Sequence, residues 1–242
     1  MKGQQPKAIL LDLDDTIIAF DHGVDTDRFW REAIRSHAEE DENHWEELLS
    51  RIKAQAKWYW SDPERHRLGQ QDLVKARQTI IEECYLQLKR VEGGRAGRIA
   101  AAYTDLRDGA IRLFPDSIEV LQQLRRQGIK LALLTNGNAS VQWGKVHRFE
   151  LTPYFDCILI EGDLGFGKPD ARMYHQALEQ LGVAPHEAWM VGDNFEWEVA
   201  APQRLGIAGI WLDHKQAGPP SASSVQPHKI IRSLGDLPVL FE

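Results

Sequence analysis

Five short apolar runs set the strongest constraint on how this 242-residue chain can fold. AILL (8–11), IKLALLT (129–135), CILI (157–160), AWMVG (188–192) and IAGIWL (207–212) are nearly unbroken rather than alternating. Such runs suit strands covered on both faces. From Phe114 onward they alternate with helical stretches. Pro115 and Asp116 open a helix with Ile118, Val120, Leu121 and Leu124 on its inner side, and Gly128 closes it. Further helices are expected over 141–149, over 169–181 with Pro169 at the first helical position, and over 196–205. Repeated strand and helix units imply right-handed crossovers, so the expected core is α/β: a Rossmann-like, doubly wound parallel sheet. Residues 214–227, with Gly218, Pro219, Pro220 and three serines, read as a surface loop, and SLGDLPVL (233–240) as a short closing element.

The stretch from 21 to about 108 has a different character, rich in Glu, Arg, Gln, His and Trp. Its apolar residues fall at helical spacing: Phe29, Trp30, Ala33 and Ile34; Trp45, Leu48, Leu49, Ile52 and Ala56; Ile80, Cys84 and Leu88; Ile99, Ala100, Tyr103 and Leu106. The pattern predicts an all-helical module inserted after the first strand. Trp30, Trp45, Trp58 and Trp60 read as helix-packing aromatics. Insertion straight after the first strand makes this module a candidate lid over the carboxyl edge of the sheet.

Bulk properties exclude several classes of function. A net charge of −7 and a pI near 5.7 argue against a binder of nucleic-acid polymers. Cys84 and Cys157 form neither a CxxC nor a Cys/His cluster, so no disulfide framework or zinc site is expected. The start, MKGQQPK, lacks a signal-type apolar core, and no apolar run approaches membrane-spanning length. A cytoplasmic protein without a membrane partner is the expectation.

Polar residues gather at the strand ends. The first strand runs into Asp12, Asp14, Asp15 and Thr16; the second into Thr135, Asn136 and Gly137; CILI into Glu161, Asp163 and then GKPD with Lys168; AWMVG into Asp193 and Asn194. In open α/β sheets that edge is where ligands bind. If extended geometry persists beyond the strand, Asp12 and Asp14 share a face roughly 6.6 Å apart, with Asp15 on the other, where it reads as a bystander. Two carboxylates at that separation repel by about 2.5 kcal/mol at an effective dielectric near 20, so positive charge is required nearby.

The ordered set DLDDT, LLTNG, GKPD and VGDN resembles the four motifs of the haloacid dehalogenase-like hydrolase superfamily, and the helical insertion resembles the smaller cap type of that family. The resemblance spans nearly the whole chain and implies an α/β core of 1–18 and 110–242 with a helical cap over 19–109. It implies Asp12 as a nucleophile forming an aspartyl-phosphate and Asp14 as general acid and base, with Thr135, Asn136 and Lys168 binding the phosphoryl group. It further implies Mg²⁺ held by Asp12, the Asp14 main-chain carbonyl and Asp193. Lys168 would also offset negative charge, and Thr16 would order the turn. Where the family usually has a second acid after the Gly-Asp pair, this chain has Glu198, which either touches the ion or holds a water bound to it; Glu196 reads as solvent-facing. Asp14 favours phosphoryl transfer over the dehalogenases, which attack carbon without such an acid. Among phosphatases the motifs are similar to the branch with N-acylneuraminate 9-phosphatases and nucleotide 5′-phosphatases. The implied substrate is a small phosphorylated metabolite of the sugar phosphate or nucleotide class.

Two other readings compete: a receiver-like phosphoacceptor module, and a dehalogenase-type hydrolase of the same superfamily. Receivers place the phosphorylated Asp on a middle strand and carry no helical insertion after the first. In the cap, Arg65, His66 and Arg67 are either receptors for an anionic leaving group or a solvated helix end, while His147 and Arg148 read as surface residues.

Overall fold

The computed structural model describes residues 5–37, 42–91, 93–221 and 223–240, so the initial MKGQ lies outside the described residues. The chain divides into two compact units, one of Met1–His22 with Arg112–Glu242 and one of Gly23–Ile111.

The strands of the first unit are β1 (Ala8–Leu11), β2 (Ile18–Ala19), β3 (Arg112–Leu113), β4 (Lys130–Thr135), β5 (Cys157–Ile160), β6 (Ala188–Gly192), β7 (Ala208–Leu212) and β8 (Lys229–Ile231). Six form one wholly parallel sheet in the order β5-β4-β1-β6-β7-β8. The fold is thus α/β, as the apolar runs require. β1 is central, with Leu11 level with Leu133 on one side and Val191 on the other. From β1 the chain winds outward through β4 and β5, then returns to build β6, β7 and β8 on the opposite side. β1 therefore ends at the topological switch point, where neighbouring connections diverge and leave a crevice. All four β1 residues are fully buried. Ala8 and Leu10 pack with Leu134, Met173, Tyr174 and Met190 on one face, while Ile9, Leu11, Leu131 and Leu133 are buried on the other. Each large aliphatic side chain so buried contributes about 1.5–3 kcal/mol.

Two strand features went unforeseen. β2 and β3 form a small antiparallel ribbon, Ile18 opposite Leu113 and Ala19 opposite Arg112. Two residues per strand are too few to show any period. β8, which falls between the expected loop and the expected closing element, pairs with β7 through Ile210–Lys229 to Leu212–Ile231. It is an edge strand with only Ile231 buried, so its sequence carries almost no apolar signal.

The second unit consists of α1 (Thr26–His37), α2 (Glu42–Trp60), α3 (Pro63–Gln71), α4 (Leu73–Gln87) and α5 (Arg95–Ala110). Its core takes Trp30, Ala33 and Ile34 from α1, Leu48, Leu49 and Ile52 from α2, Ile80, Ile81, Cys84 and Tyr85 from α4, and Ala96, Ile99, Ala100 and Tyr103 from α5. Trp30 stacks on Tyr103 with centroids 3.6 Å apart. Trp45 and Trp60 pack against this core, whereas Trp58 is exposed with the Arg65 guanidinium 3.8 Å above its ring. Periodicity missed α3, whose only buried residue is Gly69. Its start is set instead by Asp62, whose side chain accepts from Arg65 N at 2.8 Å, with Pro63 in the first turn. Arg65 donates to the carbonyls of Trp58 and Tyr59 at 2.8 and 3.2 Å, so it caps the end of α2.

Back in the first unit, the helices are α6 (Ser117–Arg126), α7 (Ala139–Arg148), α8 (Glu161–Leu164), α9 (Ala171–Leu181) and α10 (Ala201–Arg204). α9 begins two residues after Pro169, not on it: Asp170 is the N-cap, accepting from Arg172 N at 2.9 Å. The single helix expected over 196–205 is split into a wide π-helical turn at Phe195–Ala200 and then α10. Pro202 has no N–H to continue a regular ladder through this stretch. Among the described residues no helix is long and apolar enough to cross a membrane.

Candidate active site

The chain leaves β1 at Leu11 and turns at once. The amides of Thr16, Ile17 and Ile18 all donate to the Leu13 carbonyl, at 3.3, 2.9 and 3.1 Å. The extended geometry expected through DLDDT therefore stops at the strand's end. Asp12 is buried, with its amide on Val191 O at 3.0 Å and the Thr16 hydroxyl donating to its Oδ2 at 3.1 Å. Asp15 takes a left-handed φ of 58° and is no bystander. Its Oδ1 accepts from the amides of Phe20, Asp21 and His22, each at 2.8 Å.

Each carboxylate of the Asp12 and Asp14 pair has its own lysine. Lys168 Nζ donates to Asp12 Oδ1 at 2.6 Å, and Lys145 Nζ lies 2.8 Å from both Asp14 oxygens. The sequence reading foresaw the first lysine and missed the second. Gln142 was missed too; its Nε2 reaches Asp14 Oδ2 at 3.0 Å, Thr135 Oγ1 at 2.5 Å and Asn136 O at 2.9 Å. Gln142 and Lys145 stand three apart on α7, on the one face of the helix that is buried together with Val146.

Lys168 is brought in from 156 residues away by Asn136. The Asn136 side chain accepts from Lys168 N at 2.8 Å and donates to Lys168 O at 2.7 Å. This side chain positions the lysine, while the phosphoryl role expected of Asn136 is left to its main-chain N–H. The neighbouring Gly167 permits the approach, since a Cβ there would lie 2.6 Å from Asn136 Oδ1. Glu161, also buried, fixes the β4 turn by accepting from Gly137 N at 2.8 Å. Thr135 is buried at the end of β4, and because its hydroxyl oxygen accepts from Gln142, its own proton remains to donate.

After β6 the π-helical turn, started by the Asn194 side chain accepting from Trp197 N at 3.1 Å, carries Glu198 inward. Glu198 Oε1 accepts from Lys168 Nζ at 2.7 Å, and its Oε2 is buried without a hydrogen-bond partner. Glu196 lies outside, paired with Arg204. His147 and Arg148 are exposed, as expected.

The electrostatics follow from crowding. Burial pushes the Asp193 carboxyl up to about 9, reinforced by the charges of Asp12 and Glu198. Burial likewise pushes Glu198 up to about 7, against the opposing pull of Lys168. Asp12 is raised by burial despite Lys168. For Lys168 itself, burial would lower the value, but Asp12 and Glu198 outweigh it and hold the ammonium charged. Four carboxylates (Asp12, Asp14, Asp193, Glu198) thus face two ammonium groups. Among the described residues no three His, Cys, Asp or Glu side chains are gathered closely enough to hold an ion by themselves. The surplus of hard oxygen donors, one of them orphaned, nevertheless fits a small divalent cation.

Comparison with known proteins agrees with this architecture. The chain matches the family model described as haloacid dehalogenase-like hydrolase over residues 6–206. It is 33% identical over 226 residues to a phosphoserine phosphatase of Thermus thermophilus, covering 86% of this chain and 88% of that protein. It is 30% identical over 211 residues to a glyceraldehyde 3-phosphate phosphatase of Methanopyrus kandleri, covering 84% and 82%. Among solved structures, the HAD-hydrolase YfnB from Bacillus subtilis bound to magnesium superposes with a TM-score of 0.74 at 18% identity, covering 99% of this chain and 100% of that one.

Proposed function

Since the chain belongs to the haloacid dehalogenase-like hydrolases, we propose that it is a Mg²⁺-dependent phosphatase of small phosphorylated metabolites that works through an aspartyl-phosphate on Asp12. The observation that carries this reading is the pairing of two carboxylates with two lysines at the carboxyl end of one central strand: Asp12 with Lys168, Asp14 with Lys145. A dehalogenase needs the first pair only. The names of the two relatives, both phosphatases of small esters, support the same class of substrate.

In this reading Asp12 attacks phosphorus as the bond to the ester oxygen breaks, and Asp14 gives that oxygen its proton. Asp14 then takes a proton from the water that attacks the phosphoryl group, releasing phosphate and restoring Asp12. Lys168 orients Asp12 and keeps it anionic, and the Thr135 hydroxyl donates to a phosphoryl oxygen. Asp12, Asp193 and the Asp14 main-chain carbonyl would hold Mg²⁺, with Glu198 beside them as Lys168's second partner. The ion supplies positive charge to the nucleophile and the transferring group.

The test is phosphate release from a panel of alkyl and sugar phosphate esters with and without Mg²⁺. Turnover should require the ion and fall at least about a thousandfold in Asp12→Asn. An Asp12→Asn variant with wild-type turnover removes the nucleophile, and stoichiometric labelling of Asp12 without turnover favours a phosphoacceptor switch.

A further inference from the structure

We propose, resting on the phosphatase reading above, that Gln142 and Lys145 are positioning residues that act through Asp14 and set the direction of its proton transfer. Both are on α7, three residues apart, and both are buried, at 2% and 7% exposure. Burying an amide and an ammonium is costly unless they are paired, and here the pairing converges on one carboxylate. Lys145 Nζ lies 2.8 Å from each Asp14 oxygen and 4.2 Å from the centre of the Phe20 ring. The ring closes off the ammonium on one side, leaving Asp14 as its anionic partner. Gln142 touches Asp14 Oδ2, Thr135 Oγ1 and Asn136 O through one nitrogen.

The consequence is geometric. Asp14 sits on a turn one residue beyond Leu13, with its side chain half-buried, and among the described residues the hydrogen bonds to its carboxylate come from α7. Three donor contacts from α7 fix it. Gln142 also ties Asp14 to Thr135, so the group that handles the leaving-oxygen proton and the hydroxyl facing the phosphoryl oxygens keep a constant separation. Proton transfer depends on such alignment, and its loss costs the share of catalysis that the acid supplies.

The readout is leaving-group dependence, which a merely structural role would not produce. An alkyl phosphate needs its oxygen protonated as the bond to phosphorus breaks, whereas para-nitrophenolate leaves without help. We expect Lys145→Met and Gln142→Met to lower kcat/KM for an alkyl phosphate by about 100-fold and for para-nitrophenyl phosphate by less than about fivefold. Asp14→Asn should show the same contrast. Asp14→Asn combined with Lys145→Met should lose no more than about twofold beyond Asp14→Asn alone, and Lys145→Arg should recover most of the alkyl ester activity. Equal losses on both esters, or additive losses in the double variant, overturn the positioning role while leaving the phosphatase reading intact. Turnover retained by Asp12→Asn overturns both.

Discussion

Lys168 Nζ lies 2.7 Å from Glu198 Oε1, and both side chains are almost completely withdrawn from water. With Asp12 on its other side at 2.6 Å, the lysine is the hub of a buried three-charge cluster. Removing one member of such a cluster costs more than the cluster itself contributes, because the remaining charges stay buried and unpaired. Lys168→Met should therefore destabilise the core by about 3–5 kcal/mol and abolish turnover. Glu198→Gln, which still accepts from Lys168, should cost only about 1 kcal/mol. Urea denaturation of the two variants decides it; equal losses would mean that the charge of Glu198 carries the arrangement.

Stability of the ion-free protein should depend on pH in a direction opposite to that of most acid-rich proteins. Glu198 is raised from 4.5 to about 7 and Asp193 from 3.8 to about 9, in both cases first by burial. A carboxyl raised in the folded state binds more protons folded than unfolded across that window. Its contribution is intact below about pH 4 and is lost as pH climbs through the folded value. In a chelator the melting temperature should fall by about 5 °C or more between pH 5.5 and pH 9. Millimolar Mg²⁺ should remove most of that fall, because an ion bound to the folded state supplies the missing positive charge. A flat melting profile in chelator would show that these carboxyls are not crowded.

The sheet was legible because its strands are buried on both faces and so betray themselves as unbroken apolar runs. The two-residue ribbon was illegible because it is too short to show a period although Ile18 and Ala19 are buried, and the edge strand β8 and the charged helix α3 because they bury little and are defined by hydrogen bonds or caps. At the site, Asp12, Asp14, Lys168 and Asp193 could be singled out because each sits directly after a strand or within a compact motif. Gln142 and Lys145 could not, since they stand inside a helix and are polar residues at buried positions, which pattern alone places on the surface. Asp15 was found but misread, and the side-chain role of Asn136 was not foreseen. Their partners are main-chain groups, the Lys168 peptide for Asn136 and the amides of residues 20–22 for Asp15, and no sequence pattern names such partners.

Asp15 should be a stability residue with an indirect effect on turnover. Three amide donors converge on its Oδ1, and a ring nitrogen of His214 donates to its carbonyl at 2.7 Å, tying this loop to the segment after β7. Asp15→Ala removes an anionic acceptor from three donors and should cost about 2–4 kcal/mol. Asp15→Asn keeps a carbonyl oxygen in place and should cost about half as much. Hydrogen exchange at the amides of Phe20, Asp21 and His22 reads the effect directly: protection should be lost in the Ala variant. Unchanged protection would mean that the turn is held by its main-chain hydrogen bonds to Leu13 O and Ile18 O.

Gly192 shows how little room the site leaves. It ends β6 opposite Trp211, and a Cβ there would lie 2.3 Å from Glu198 Cγ and 3.0 Å from Asp12 Cβ. An exposed side chain would swing away at small cost, but Glu198 is buried and tied to Lys168, so the clash is transmitted to the charge cluster. Gly192→Ala should cost about 3 kcal/mol or more and lower turnover by at least about 100-fold. Gly144→Ala is the contrasting case, within α7 on its exposed side and with open space around the added carbon. There the added methyl should stabilise by about 0.5–1 kcal/mol, the ordinary helix preference for Ala over Gly, and leave turnover as it is. Opposite signs for the two substitutions, measured by denaturation and by phosphate release, are the expected outcome. Equal effects would mean that crowding around Glu198 is not what makes a glycine necessary at position 192.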